Sequence, residues 1–155
     1  MSSPVTTAVN NNTPAQPSSA RAAQALAAPR GYNAARWTFA AVVLVTTALL
    51  ICQPFLAGMH IGGDSGALNL HYLNGQLLMT LSAVQVLAAL VWWRLCGGPA
   101  KAAMWALIEV GLVITQFWIG YFQYPSLHLP LGIATLFCAV FLTTVPFRSP
   151  AKKAA

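Results

Sequence analysis

The stretch WTFAAVVLVTTALLICQPFLAGM, residues 37–59, decides the fold. No charged side chain interrupts it, and it meets the ~20 apolar residues a helix needs to cross a ~30 Å hydrocarbon layer. Three more runs follow at about 71–95, 102–124 and 127–147, separated by helix-stopping chemistry. Gly62, Gly63, Asp64, Ser65 and Gly66 make the first break, Gly97-Gly98-Pro99 the second, and Tyr124-Pro125-Ser126 a tight third. Asn69 and Ser126 stand where N-cap side chains would accept the orphan N–H groups of the second and fourth helices. Trp37, Trp92, Trp93, Trp105, Tyr121 and Tyr124 fall near run ends, as rings at a lipid headgroup level do.

Composition agrees. Of 155 residues, 57% are hydrophobic and 6% charged, where a water-facing surface would require about 25%. The expected fold is therefore an all-α membrane protein, a four-helix up-down-up-down bundle in which short loops make consecutive helices antiparallel neighbours. Residues 1–35, rich in Ala, Ser, Pro and Asn, read as a disordered tail. Residues 36–148 form the transmembrane domain, and 149–155 a short basic tail.

The net charge of +6 does not imply nucleic acid, because the basic residues form no face interleaved with aromatics. Arg21, Arg30 and Arg36 precede the first run, Arg94 and Lys101 flank the second break, and Arg148, Lys152 and Lys153 follow the last run. All eight thus belong to one side of a four-span topology. The positive-inside rule makes that side cytoplasmic and puts both termini there, which suits a multi-pass protein of a bacterial cytoplasmic (inner) membrane. Cys52, Cys96 and Cys138 lie in or beside the runs and read as small apolar side chains.

The three histidines, His60, His71 and His128, all fall at the opposite, external end. His71 and His128 open the second and fourth helices, which run in the same direction and are diagonal partners, so the two imidazoles share one depth. Each is followed four residues later by glycine, Gly75 and Gly132, on the same helix face one turn deeper. Ser82 continues that face on one helix, Thr135 and Ala139 on the other. An imidazole on each side of a flat macrocycle, with glycine where the ring nears the backbone, describes a bis-histidine haem b site. The same residues also fit interfacial histidines and a small-residue packing surface. Zinc fits less well, since two imidazoles fill half a tetrahedral site unless His60 and Asp64 complete it.

The histidine pattern sits in a weak internal repeat. Gln53–Gly58 (QPFLAG) and Gln116–Gly120 (QFWIG) each precede a His-x-x-x-Gly helix. The segments QPFLAG, HYLNG (71–75) and LHLPLG (127–132) resemble those of small four-helix bacterial membrane proteins and of one half of a haem A synthase. That resemblance implies haem ligation by His71 and His128. It also implies that two halves, and hence a homodimer, would be needed for haem A chemistry, with Asp64 the one external acidic residue.

Glu109, about 10 Å into the third helix, needs a partner or a proton, with Arg36 and Arg94 at matching depth. Gln76, Gln85 and Gln116 are donors for bonds between helices, and Pro54 is expected to kink the first helix by freeing the Leu50 carbonyl. The sequence thus points to a cytochrome b-like haem protein for electron transfer, haem handling or redox sensing, exchanging electrons with quinone or a membrane-protein partner. A cofactor-free accessory or assembly subunit of a membrane complex is the rival. No nucleophile–base pair or phosphate loop is present, so an enzyme of the soluble type is not the expectation, and any enzymatic role would be that of a haem-dependent membrane oxidoreductase.

Overall fold

A computed structural model describes residues 29–148; the expectations for residues 1–28 and 149–155 lie outside them. Four helices follow in order: α1 (Tyr32–Ile61), α2 (Ala67–Cys96), α3 (Ala100–Tyr121) and α4 (Pro125–Arg148). Each packs on its sequence neighbours and α4 closes against α1, while the diagonal pairs α1/α3 and α2/α4 make no close backbone approach. The result is the antiparallel four-helix bundle that short loops dictate.

All four helices are long and apolar enough to span a bilayer, and only 28–33% of each apolar window is buried inside the protein. The remainder faces outward as Leu, Ile, Val and Phe. A helix apolar all round, with two-thirds of that surface unburied, is compatible with lipid and not with water. This is a multi-pass membrane protein.

The helix boundaries differ from the expected ones in informative ways. α1 begins at Tyr32, five residues before the apolar run, because Tyr32 is itself buried against Trp92, with ring centroids 5.8 Å apart. α2 begins at Ala67, not 71. Asp64 Oδ1 accepts hydrogen bonds from the N–H groups of Gly66 and Ala67, at 2.9 and 3.2 Å. Asp64, not Asn69, therefore satisfies the orphan donors at this end. α4 begins with Pro125 as its first residue, the position where a missing N–H costs nothing. Ser126 lies inside the helix, and Gln123, at φ 58°, turns the chain.

The packed core lies toward the end that carries the basic residues. Phe39, Trp92, Ala102, Ala106 and Leu142 are fully buried there. Trp92, expected in a headgroup belt, is at the centre of this cluster, tilted against Phe39 at 5.5 Å. The chain turns over its indole: Gly97 takes φ 75°, and the Gly98 N–H donates to the Trp92 carbonyl at 2.7 Å. A Cβ on Gly98 would lie 2.7 Å from the Trp92 ring, so glycine is needed for the close approach. A smaller second cluster of Leu50, Leu78, Val113 and Ala139 sits nearer the middle.

Candidate functional site

Toward the histidine end the interior changes character. α1 has no buried residue after Leu50, α3 none after Val113, and α4 none before Thr135. Into this loosely packed end project His71, in the second turn of α2, and His128, in the first turn of α4. Although these helices are diagonal, the two imidazoles bridge the interval, with ring centroids 6.0 Å apart and planes at 60°. Both rings are half-buried. The matched depth expected of them holds in three dimensions.

Each ring is held by the helix preceding its own. His71 Nδ1 lies 3.2 Å from the Gln53 main-chain carbonyl, and His128 Nδ1 lies 3.1 Å from that of Gln116. A carbonyl can only accept, so Nδ1 carries the hydrogen in both rings. Each Nε2 is then an unprotonated acceptor in the neutral imidazole. Neither Nε2 has a hydrogen-bond partner among the described residues.

The internal repeat is thereby given a physical meaning. Gln53 and Gln116 occupy equivalent places in the two hairpins, each presenting a carbonyl to the histidine and a side chain to the glycine one turn below it. A Cβ on Gly75 would lie 3.4 Å from Gln53 Nε2 and 3.3 Å from the Phe117 ring. A Cβ on Gly132 would lie 2.8 Å from Gln116 Nε2, which donates to the His128 carbonyl at 2.7 Å. The glycines admit these amides, and the amide oxygens Gln53 Oε1 and Gln116 Oε1 are buried without a partner.

The symmetry is not complete. Gly120 lies against the His128 imidazole, where a Cβ would fall 2.6 Å from Cε1, whereas the equivalent position four residues after Gln53 is Ala57, and Gly58 one place further on has nothing within 4 Å. Gly120 was visible in the QFWIG repeat, but its contact with His128 requires the tight α3–α4 turn. On the shared face below the site, Ser82, Thr135 and Ala139 are fully buried.

The secondary candidates fall elsewhere. His60 is exposed in the last turn of α1, and Asp64 is committed to the start of α2. Among the described residues no three His, Cys, Asp or Glu side chains gather as metal ligands. Glu109 is fully buried and bonded to Gln85 Nε2, not to arginine. Arg36 instead donates to the Pro146 carbonyl, and Arg94 lies over the Trp93 ring at 4.2 Å. Both arginines find partners on the bundle rim, so neither is drawn inward to the carboxyl. The three thiols are unpaired: Cys138 is buried, Cys96 half-buried, and Cys52 faces outward.

The chain matches no family model, no curated protein and no solved structure.

Proposed function

We propose that this protein holds one haem b between His71 and His128 and serves as a cytochrome b-like membrane protein of the bacterial cytoplasmic membrane. The observation that carries this reading is the pairing of the two imidazoles at 6.0 Å. Two imidazoles bound in line to one metal at ~2 Å have centroids ~6 Å apart. Their Nδ1–carbonyl bonds add the support that metal-binding histidines characteristically have. Such a bond fixes the tautomer, directs Nε2 to the metal and raises its basicity.

The surroundings suit the group as well. Gly75 and Gly132 keep side-chain volume off the helix surface beside each imidazole. Much of what lies over them is the amide ends of Gln53 and Gln116, which a rotamer change can withdraw. The loosely packed histidine end leaves few buried contacts to be broken by an inserted macrocycle. Zinc is less well served, because His60 and Asp64 do not join the pair.

Bound there, haem would supply one-electron exchange. The protein's own part is to present two neutral imidazoles and to keep lipid-facing apolar residues around them. The eight basic residues flank the other end, so the positive-inside rule sets the haem near the external face. The chain has three histidines, all at one end, so no second bis-histidine site exists to carry electrons across the bilayer. Electron exchange is accordingly with a membrane quinone or a protein at the external surface, in transfer, redox sensing or haem handling.

The test is the visible spectrum of detergent-purified protein from haem-replete cells, oxidised and dithionite-reduced. A Soret band with sharp reduced α and β bands is expected, and both His71→Ala and His128→Ala should abolish the low-spin spectrum. A colourless wild-type protein would sink the haem reading and leave a cofactor-free accessory subunit.

A further inference from the structure

Far from the histidines, the basic half of the core holds a pair of polar side chains with no part in the haem reading. Glu109 on α3 and Gln85 on α2 are both completely buried, and Gln85 Nε2 donates to Glu109 Oε2. The other oxygen of each group, Glu109 Oε1 and Gln85 Oε1, is buried without a partner. Two unpartnered acceptors in one bonded pair are unusual, because a buried acceptor left unsatisfied carries its full desolvation penalty.

No cation relieves the carboxyl. Among the described residues, Arg36 is spent on the Pro146 carbonyl, Arg94 is exposed over Trp93, and Lys101 is exposed at the start of α3. α3 packs on α2 and α4. From α2 the polar group facing Glu109 is Gln85, and from α4 the titratable one is the buried Cys138 thiol. α1, the diagonal helix, contributes only the hydroxyls of Thr46 and Thr47 to the buried polar set. An ionised carboxylate with one amide donor and no counter-charge is a costly group inside a bilayer.

We propose that Glu109 and Gln85 form a proton-binding site. A proton taken from water onto Glu109 Oε1 neutralises the carboxyl and makes that atom a donor. Gln85 Oε1 is the acceptor it requires. The amide then donates to the acid and the acid donates to the amide, closing a reciprocal pair that removes both unpartnered acceptors and the buried charge together. The bundle is thereby loaded with a proton on the side of the membrane layer opposite the imidazoles. This site stands whether or not haem binds.

The chain suits a direct test, since Glu109 and Asp64 are its only acidic side chains and Asp64 is exposed in a loop. Infrared spectra of the full-length protein in lipid at neutral pH should contain the C=O stretch of a protonated carboxylic acid, above the amide I band. Deuteration should shift it. Glu109→Gln should remove it, and carboxyl-13C labelling of the one glutamate should move it with no substitution at all. Gln85→Leu should keep the band but raise its frequency, as the acid loses its amide partner. Carboxylate stretches alone, assigned to Glu109 by the label, would overturn the proposal. So would a band indifferent to Gln85→Leu.

Discussion

The two ends of this bundle are built by different rules. At the basic end Phe39, Trp92 and Leu142 interlock with the alanines of α3, and the chain folds back over an indole through Gly97 and Gly98. At the histidine end large apolar side chains point outward, and the interior is occupied by imidazoles and amides. Apart from the Gln85–Glu109 pair, dispersion packing dominates one end and directional polar contacts the other. The contrast teaches where stability resides: a tightly packed end can scaffold a loosely packed one, which is the end the proposed haem would occupy.

Three substitutions can break or sharpen that contrast. The largest effect is expected from Trp92→Ala, which empties the centre of the packed end and should cost about 3–5 kcal/mol, within the range for large aromatic truncations. Reversible unfolding in mixed micelles measures it, and a loss below 1 kcal/mol would mean that the packed end is not the scaffold. An intermediate effect is expected from Gly120→Ala. Its methyl would meet His128 Cε1 at 2.6 Å, so the imidazole must rotate or α4 must shift. Under the haem proposal, haem content after purification should fall severalfold, and the stability loss is expected to be about 1–3 kcal/mol, typical of overpacking. Gly58→Ala, which meets nothing within 4 Å, is the internal control. The smallest effect belongs to Leu127→Ala at the histidine end. Leu127 is 56% exposed, so a change within about 0.5 kcal/mol is expected. A cost matching that of Trp92→Ala would erase the distinction between the ends.

Much of the architecture was legible because a membrane imposes so few options on a chain. Four apolar runs, short breaks and one-sided basic residues leave little besides an antiparallel bundle. The level placement of His71 and His128 follows from helix direction alone. What escaped notice depended on individual contacts. Asp64 looked like a lone external acid, but its carboxylate is used to start α2 four residues earlier than the apolar pattern indicates. Trp92 sits beside Trp93 near a run end and reads as interfacial. Helical spacing turns Trp93 and Arg94 toward the rim and Trp92 into the core. Glu109 suggested an arginine partner by depth, yet depth says nothing of rotation about the helix axis, and the residue facing it is Gln85. The glutamines of the faint repeat are visible in the sequence. Their role at the histidines is exercised largely through main-chain carbonyls, which every residue carries and no composition reveals.

Alignment of the imidazoles by main-chain carbonyls bears on how this chain can evolve. Because each imidazole is aligned by a peptide carbonyl, its orientation is inherited from the course of α1 and α3, not from the identity of residues 53 and 116. Descendants of this chain can change either glutamine and keep both rings aimed, provided the helices stay where they are. The site is thus robust to drift in its own letters and vulnerable to mutations that bend its supporting helices. What the paired imidazoles require of the sequence is therefore two histidines and the paths of two helices, and little else.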